Sequence, residues 1–354
     1  MKYSVNIYSI LLIILVTFIA CFIIIYPVKK LAKHIGAIDY PDEERKIHKK
    51  PTPRMGAIAI YLSFLLGYMI FGRPNTQMIA ILIGSFLLVM IGLFDDIKPI
   101  PNRYKFIIQL IAALIAVFYG GFLLKDIRAY GLNLNFGIFA YPITIFFIMG
   151  CINSINLIDG MDGLSSGICS IFFLTIGIIA AVRGKGNGLD IVLSFSALGA
   201  TLGYLKHNFY PAKIFMGDGG SMFLGYIISM IALVGYKNVT LTSFAVPLTL
   251  LAIPIIDTLF AIIRRTIKGQ NPLGTPDKEH IHFQLIKANK SIVKTVLIIY
   301  AVDILFAAVS IFYVLGNDKL AIMIYLFLMI LLIILVNKTN ILYEHKKRKG
   351  SVKK

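Results

Sequence analysis

Long apolar runs separated by short polar segments dominate this sequence. A helix needs roughly 20 apolar residues to cross a membrane, and eleven runs approach or exceed that length. They cover residues 6–28, 56–72, 78–94, 104–123, 137–158, 163–182, 189–205, 220–236, 239–263, 292–315 and 319–337. Backbone groups in lipid must be hydrogen-bonded within the protein, so each run is expected to be a helix. The pattern predicts an all-α, multi-pass membrane protein whose first run lacks a cleavage site and stays as an anchor.

Composition agrees with this pattern. Hydrophobic residues make up 58% of the 354 residues and charged residues 15%, whereas soluble domains contain roughly 45–50% and 25%. Cys21, Cys151 and Cys169 lie inside apolar runs, and the sequence has no Cys-x-x-Cys motif. We therefore expect buried thiols rather than disulfides or metal ligands.

The net charge of +18 is distributed unevenly across the predicted membrane. With eleven spans, one side collects 29–54, 95–103, 159–162, 206–219, 264–291 and the tail from 338. Counting the flanking Lys105 and Lys294, it carries 27 of the 35 Lys and Arg residues. The positive-inside rule makes this side cytoplasmic, with the amino terminus outside and the carboxyl terminus inside. All six histidines and, counting Asp257 near the end of its run, 13 of the 17 acidic residues lie there too, so we expect the chemistry at the cytoplasmic face.

The same reading gives the domain organisation. Residues 1–337 are expected to form a single catalytic domain with active-site loops at 29–54, 95–103, 153–163, 206–220 and 264–291. The basic tail 338–354 is expected to set topology and contact anionic lipid headgroups. No nucleic-acid-binding module accompanies its charge, so nucleic acid is not an expected partner.

Two polar segments place charges beside prolines or at the end of an apolar run. Residues 39–56 combine prolines with Lys and Arg, Lys50 among them, and suit either phosphate binding or a topology-setting loop. Asp95 and Asp96 end the third run. Adjacent carboxylates at a membrane border are costly unless they are solvated, paired or metal-bound, so a solvated helix end and a functional pair both remain open.

A third segment is a polar stripe at a spacing of three: Asn153, Asn156, Asp159 and Asp162. This spacing places the side chains along one side of a helix. Amide and carboxylate oxygens suit Mg²⁺ or the polar edges of a nucleotide. An interhelical hydrogen-bond ladder is the structural alternative.

Two further segments complete the candidate site. Glycines surround Asp218, with Asn208 and Phe215 preceding it, in a pattern that suits phosphate and a metal ion or, alternatively, an ordinary turn. The last segment contains Arg264, Arg265, His280 and His282 without a third His or Cys, which disfavours zinc.

Two carboxylates lie deeper in the predicted spans. Asp257 and Asp303 are expected to face the bundle, Asp303 in a structural role. Together, the carboxylates, cations and glycines of the five segments predict Mg²⁺-dependent phosphoryl transfer between a lipid-borne phosphate and a soluble substrate.

The motifs PTPRMG, GLFDD, NSINLIDGMDGLSSG, NFYPAKIFMGDGGS and DKEHIH occur in this order. The ordered set resembles the polyprenyl-phosphate N-acetylhexosamine-1-phosphate transferases of glycosyltransferase family 4, from about residue 36 to 285. The PTPR and HIH segments are similar to the TagO/WecA-like branch rather than to the related MraY branch. Ala57 and Phe283 depart from the usual glycine and histidine.

The resemblance implies a role for each motif residue. Asp218 and Asn156 would bind Mg²⁺, with Mn²⁺ as a substitute, and the implied catalytic residues are Asp95, Asp96, His280 and His282. Substrate binding is implied for Lys50, Asn153, Asp159, Asp162, Asn208, Phe215, Arg264 and Arg265.

The implied reaction transfers GlcNAc-1-phosphate from UDP-GlcNAc to undecaprenyl phosphate at the bacterial plasma membrane. It would be the first membrane step of teichoic acid or other surface polysaccharide synthesis, and the resemblance also makes a homodimer plausible. An MraY-type transferase acting on UDP-MurNAc-pentapeptide is the near alternative. A transporter is the alternative from another class, disfavoured because the polar residues gather at one border and no repeat is evident.

Overall fold

The computed structural model describes residues 6–41, 50–129, 132–183, 188–236, 266, 285–286, 291–316 and 318–338. The chain divides into two compact units, Met1–Leu248 and Thr249–Lys354. No observation on either unit tests the prediction of one catalytic domain over 1–337.

Helices dominate both units. The first contains α1 (Ile7–His34), α2 (Gly56–Phe71), α3 (Thr76–Ile97), α4 (Asn102–Leu114), α5 (Ala140–Ile158), α6 (Leu164–Arg183), α7 (Leu189–Asn208) and α8 (Gly217–Tyr236). A π-helical turn, Ile115–Tyr119, extends α4, and a 3₁₀ turn, Gly137–Phe139, precedes α5. The second unit contains α9 (Ile292–Val314) and α10 (Asp318–Lys338).

Within the described ranges, eight helices are long and apolar enough to cross a membrane, and Gly56–Phe71 and Lys319–Leu331 are shorter apolar helices. The prediction of an all-α, multi-pass membrane protein is therefore confirmed. The predicted span 239–263 lies outside the described residues, so the count of eleven stays a prediction, as does the orientation.

Two short antiparallel hairpins interrupt the helices of the first unit. Strands β1 (Ile38–Asp39) and β2 (Thr52–Pro53) pair between α1 and α2, with Ile38 opposite Pro53. Strands β3 (Asp126–Ala129) and β4 (Leu132–Asn135) pair before α5. Neither hairpin was predicted, because strands this short give no alternating apolar pattern.

Helix α8 forms the centre of the first unit. Within its membrane-length window 89% of residues are buried, against 17% for α1. Helices α3 and α5 pack on α8, and Phe223 and Tyr226 are fully buried in this core. The low burial of α1 places it at the edge of the unit, where its apolar side chains suit contact with lipid.

Glycines allow the helices that carry the site to approach closely. A Cβ on Gly92 of α3 would overlap the backbone N and Cα of Gly219 in α8. The backbones of α3 and α8 therefore touch one turn before Asp95 and directly beside Asp218. Small residues at such crossings are typical of membrane helix pairs.

The burial of the cysteines and of Asp303 agrees with the predictions. The three cysteines are free and buried. In the second unit, Asp303 of α9 is 1% exposed, as predicted for a carboxylate that faces the protein interior. Helices α9 and α10 are joined there by a 2.5 Å hydrogen bond between the hydroxyls of Ser310 and Tyr325. Asp257 lies outside the described residues.

Candidate active site

The predicted aspartate pair lies in the last turn of α3, which runs three residues beyond the apolar run that predicted it. Asp95 accepts a 2.7 Å hydrogen bond from the backbone N–H of Ile100, which holds the turn after the helix. The side chain of Asp96 is fully buried. Neither oxygen of Asp96 has a side-chain hydrogen-bond partner among the described residues. A buried carboxylate in this state retains capacity for a cation.

Lys105 of α4 joins the aspartate pair to the glycine-rich motif. Its Nζ lies 2.7 Å from Asp218 Oδ2 and 3.2 Å from Asp95 Oδ1. Asp218 stands in the first turn of α8. The structure thus brings together two carboxylates that are 123 positions apart in the sequence. We name Asp95, Asp96, Asp218 and Lys105 the carboxylate cluster.

Arg54 adds a second cation beside the carboxylate cluster. Its guanidinium donates to Asp39 Oδ1 at 3.1 Å and lies 3.9 Å from Asp96 Oδ1. The adjacent Met55 has a φ of 75°, in the left-handed region that non-glycine residues seldom adopt. This conformation turns the chain from β2 into α2 directly beside the aspartates.

Backbone hydrogen bonds attach the PTPRMG segment to the MGD segment. The N–H of Phe215 donates to Pro53 O and that of Gly56 to Phe215 O, both at 2.9 Å. Ala57 N–H donates to Met216 O at 3.1 Å. Two motifs recognised separately in the sequence therefore form one structural unit, which holds Phe215 near Arg54.

The predicted polar stripe lies only partly on one helix, because α5 ends at Ile158 and leaves Asp159 and Asp162 in the connection to α6. Asn153 donates to Gln109 Oε1 of α4 and Asn156 to Ser221 Oγ of α8, both at 2.8 Å. Asp159 accepts from Ser165 Oγ at 2.5 Å, and Asp162 accepts from the Ala212 N–H at 2.8 Å. Asn153 and Asn156 thus form the interhelical hydrogen bonds expected if the stripe has a structural role. The ligand-binding roles predicted for the stripe stay predictions.

Asp159 follows the end of α5, in the connection to α6. Burial raises the pKa of this carboxyl to about 7, although the hydrogen bond from Ser165 opposes the shift. The negative charge of Asp218 acts in the same direction as burial. Asp159 is therefore electrostatically coupled to the carboxylate cluster.

Asn208 ends α7 and fixes the segment that follows. Its Oδ1 accepts from Gly163 N–H at 3.0 Å and from Ser166 Oγ at 3.2 Å, and its Nδ2 donates to Ile214 O at 3.1 Å. Tyr204 donates its hydroxyl to the same carbonyl at 3.1 Å. These bonds position the segment that carries Phe215, whereas the predicted contact of Asn208 with uracil stays a prediction.

Five predicted site residues have the contacts described above: Asn153, Asp159, Asp162, Asn208 and Phe215. The others fall into three groups. Asp95, Asp96 and Asp218 converge directly, and Asn156 joins them through Ser221, whose hydroxyl also donates to Asp218 O at 3.2 Å. The side chain of Lys50 is exposed and forms no ion pair with the described carboxylates. The last group lies outside the described residues and consists of Arg264, Arg265, His280 and His282.

Sequence reasoning missed Lys105 and Arg54 as members of the site. The signal for Lys105 was its position as the charged residue within the apolar run 104–123. A charge at such a border is costly unless it has a partner. The sequence indicated Arg54 less clearly, since its segment contains several Lys and Arg residues. Only the fold shows that Arg54 lies beside the aspartates.

The donor set suits a hard divalent cation. In the described part of the chain, no three His, Cys, Asp or Glu side chains form a ready-made metal-binding group. Mg²⁺ does not need one, because it commonly uses one or two carboxylates together with substrate phosphates and water. The oxygens of Asp96, which lack a side-chain hydrogen bond, and the shared contact of Asp95 and Asp218 with Lys105 fit that requirement.

Comparison with known proteins agrees with these features. Residues 78–236 match the family model described as Glycosyl transferase family 4. A Bacillus subtilis (strain 168) protein named "Probable undecaprenyl-phosphate N-acetylglucosaminyl 1-phosphate transferase" is 40% identical, over 93% of this chain and 92% of that protein.

Two further relatives are similar over most of their length. The decaprenyl-phosphate N-acetylglucosaminephosphotransferase of Mycolicibacterium smegmatis is 33% identical over 77% of this chain and 74% of its own. The undecaprenyl-phosphate alpha-N-acetylglucosaminyl 1-phosphate transferase of Escherichia coli K12 is 30% identical over 73% and 72%.

Proposed function

Since the chain belongs to glycosyl transferase family 4 and to its polyprenyl-phosphate N-acetylglucosamine-1-phosphate transferases, we propose that it transfers GlcNAc-1-phosphate from UDP-GlcNAc to undecaprenyl phosphate. The products are undecaprenyl-pyrophosphoryl-GlcNAc and UMP, and the reaction begins teichoic acid or other surface polysaccharide synthesis. The observation that carries the proposal is the convergence of Asp95 and Asp218 on Lys105 at one end of the bundle.

The reaction is placed at the cytoplasmic face of the plasma membrane. Eleven spans with the amino terminus outside put the carboxylate cluster on the side that is rich in Lys and Arg. A water-soluble UDP-sugar reaches this face from the cytoplasm, while the lipid phosphate lies at headgroup level.

The chemical step is an attack by a phosphate oxygen of the lipid on the sugar-bearing phosphorus of UDP-GlcNAc. A new P–O bond forms, the bond from that phosphorus to the UMP oxygen breaks, and UMP leaves with the electron pair. A phosphate monoester has its second pKa near 6, so at neutral pH the nucleophile is already mostly deprotonated. A strong general base is therefore unnecessary, and direct attack is favoured over an aspartyl-phosphate intermediate.

The protein's residues chiefly position charge in this scheme. Arg54 and Lys105 would neutralise phosphate oxygens, since both already face carboxylates in the cluster. Phe215 would stack on uracil beside the loop fixed by Asn208. His280, His282, Arg264 and Arg265 would bind sugar or pyrophosphate.

Mg²⁺ is the proposed cofactor, and Mn²⁺ its substitute. Asp218 and Asn156 would hold it, with Asp95 and Asp96 beside them, and the ion would supply charge neutralisation on the pyrophosphate. Because Lys105 pairs with both Asp95 and Asp218, its ammonium would compete with a divalent ion for these carboxylates.

The reaction is tested with purified protein, undecaprenyl phosphate, Mg²⁺ and one of two donors. We expect UMP release with UDP-GlcNAc and none with UDP-MurNAc-pentapeptide. Asp218→Asn should lower the rate by about 100-fold or more, since it removes a charge from the cluster. Asp126→Asn, in the β3–β4 hairpin, is the matched control and should retain the rate. UMP release with the pentapeptide donor alone would refute the proposed substrate.

The order of bond formation is tested at Asp95. With direct attack, Asp95→Asn retains measurable UMP release, reduced because one charge of the cluster is lost. A two-step route would require the carboxylate as nucleophile. Radiolabelled phosphate trapped on the protein from UDP-GlcNAc alone, without the lipid, would overturn direct attack.

A further inference from the structure

A second group of basic side chains lies at the same end of the first unit, outside the carboxylate cluster. It consists of Lys29, Lys33, Lys206, His207 and Lys213, which we name the basic cluster. Two of them come from the last turns of α1, two from the last turn of α7, and one from the segment after α7. The N–H of Lys213 donates to His207 O at 2.8 Å, which folds that segment back onto α7.

Close packing of α1 against α7 brings these residues together. A Cβ on Gly203 would lie 2.6 Å from Phe18 O, and one on Gly199 would overlap Thr17. The two helices therefore approach closely at positions about one turn apart, and the end of α7 lies beside Phe22 and Tyr26 of α1. The positive charges of Lys33 and Lys213 both repel the Lys29 ammonium, although Lys33 and Lys213 belong to different elements.

No side chain of the basic cluster forms an ion pair with a described carboxylate. The ion pairs of the described residues involve Arg54 and Lys105, neither of which belongs to the cluster. Cations packed together repel one another, and a bound anion relieves that repulsion. The positive-inside rule accounts for lysines on this side of the membrane, but it does not require three elements to gather them at one point.

His207 adds an unsatisfied polar atom to this arrangement. The residue is 6% exposed, and its Nε2 has no hydrogen-bond partner in the described ranges. Its ring packs on Phe22 at 4.7 Å and on Tyr26 at 5.4 Å. Lys29, Lys206 and Lys213 all lie close enough to the imidazole to interact with it electrostatically. Because this nitrogen is buried, whereas Lys33, Lys206 and Lys213 are exposed, the lysines are the groups that a phosphate can reach.

The surface leading to the basic cluster is apolar and exposed. Ile19, Ile23 and Tyr26 of α1 are 45%, 58% and 52% exposed. Their spacing of three and four places them on one helix face, which continues to Lys33. Tyrosines are typical of the membrane–water interface. Acyl chains can lie along this face while the headgroup reaches the lysines.

We infer that the basic cluster binds the phosphodiester headgroup of an anionic phospholipid whose acyl chains lie along α1. The continuous apolar face selects a lipid over a soluble phosphate. The site is separate from the carboxylate cluster, so the inference does not depend on the proposed reaction. A lipid held there would link α1 to Lys213 and thereby brace the segment that carries Phe215.

The test measures lipid retention by native mass spectrometry of the full chain in detergent. Phosphatidylglycerol and phosphatidylcholine are titrated separately at equal concentration. We expect wild type to retain one phosphatidylglycerol and no phosphatidylcholine. Lys33→Gln/Lys213→Gln should weaken phosphatidylglycerol binding by roughly tenfold or more, since each lysine near the headgroup contributes substantially to lipid affinity. Both side chains are exposed, so the variant should fold.

The control is Lys98→Gln/Arg103→Gln, which removes the same charge from exposed positions outside the basic cluster. It should bind the lipid as wild type does. Equal losses in the two variants would indicate non-specific attraction and overturn the site, as would unchanged binding in Lys33→Gln/Lys213→Gln. Displacement of the lipid by glycerol phosphate at matched ionic strength would show a soluble-phosphate site instead.

Discussion

Lys105 links the carboxylates of the candidate site to one another. Its ammonium contacts Asp218 and Asp95, and all three side chains are at least partly buried. Two carboxylates at such separation repel unless a cation lies between them. Lys105 therefore offsets the repulsion between Asp95 and Asp218, and it would compete there with a divalent ion.

Replacing Lys105 should separate metal binding from turnover. In Lys105→Gln the carboxylates lose their internal cation, so we expect Mn²⁺ to bind about tenfold more tightly without substrate. UMP release should fall by about 100-fold, because phosphate charge is no longer neutralised. Metal binding is measured by electron paramagnetic resonance, and Lys98→Gln is the control. Weaker Mn²⁺ binding in Lys105→Gln would contradict the competition.

The raised pKa of Asp159 makes stability depend on pH. Its pKa is about 7 in the folded protein and 3.8 in its ordinary state. The folded state therefore binds the proton more tightly, and this contribution to stability is greatest below about pH 4 and is lost as pH rises to about 7. Asp159→Asn removes the ionisable group while keeping an acceptor for Ser165.

We expect Asp159→Asn to melt at a higher temperature than wild type at about pH 8, with the difference shrinking towards about pH 4. Thermal unfolding in detergent without divalent ions measures it. Ser165→Ala, which removes the bond that favours the ionised carboxylate, should shift in the opposite direction at about pH 8. A difference between Asp159→Asn and wild type that stays constant with pH would contradict the assignment.

At the scale of elements, apolar length predicted where helices occur better than where they end. The run 56–72 corresponds closely to α2. The run 6–28 became Ile7–His34, because lysines and a histidine continue a helix beyond the lipid and favour its last turn. The run 220–236 became Gly217–Tyr236. Glycines there indicated a loop, yet they begin α8 and place Asp218 in its first turn.

The contact between α3 and α8 yields a stability prediction. Gly92→Ala would drive a Cβ into the Gly219 backbone, so we expect a loss of about 1–3 kcal/mol or more in the free energy of unfolding. Gly150→Ala is the matched control, because α5 leaves open space within 4 Å of that position. The control should be neutral or stabilising by up to about 1 kcal/mol.

Chemical denaturation in detergent measures both glycine variants, together with their yield from membranes. An equal effect of the two substitutions would show that helix propensity, rather than the α3–α8 contact, decides the outcome.

For the whole molecule, the sequence predicted the composition of the site better than its geometry. The order of the motifs selected Asp95, Asp96 and Asp218, and the structure brings them together. The sequence did not indicate that Lys105 would contact both Asp95 and Asp218. It also did not indicate that the N–H of Phe215 would donate a hydrogen bond to the carbonyl of Pro53. Such contacts depend on how distant helices pack, and local patterns do not record this packing.

The proposed orientation can be tested with an impermeant maleimide on intact cells. Pro74→Cys, between α2 and α3, should be labelled from outside, whereas Lys98→Cys should be labelled only after permeabilisation. Both positions are exposed, and the three native cysteines are buried. Wild type without either substitution gives the background. Labelling of Lys98→Cys in intact cells would show that the topology is the reverse of the proposed one.

The meeting of α3 and α8 at Gly92 and Gly219 also bears on how the protein tolerates different bilayers. Membrane helices adjust to hydrocarbon thickness by tilting. Two helices joined backbone to backbone within one turn of their carboxylates must tilt as a pair. The spacing between Asp95 and Asp218 should therefore stay the same in thin and thick membranes, even where the more loosely packed periphery adapts.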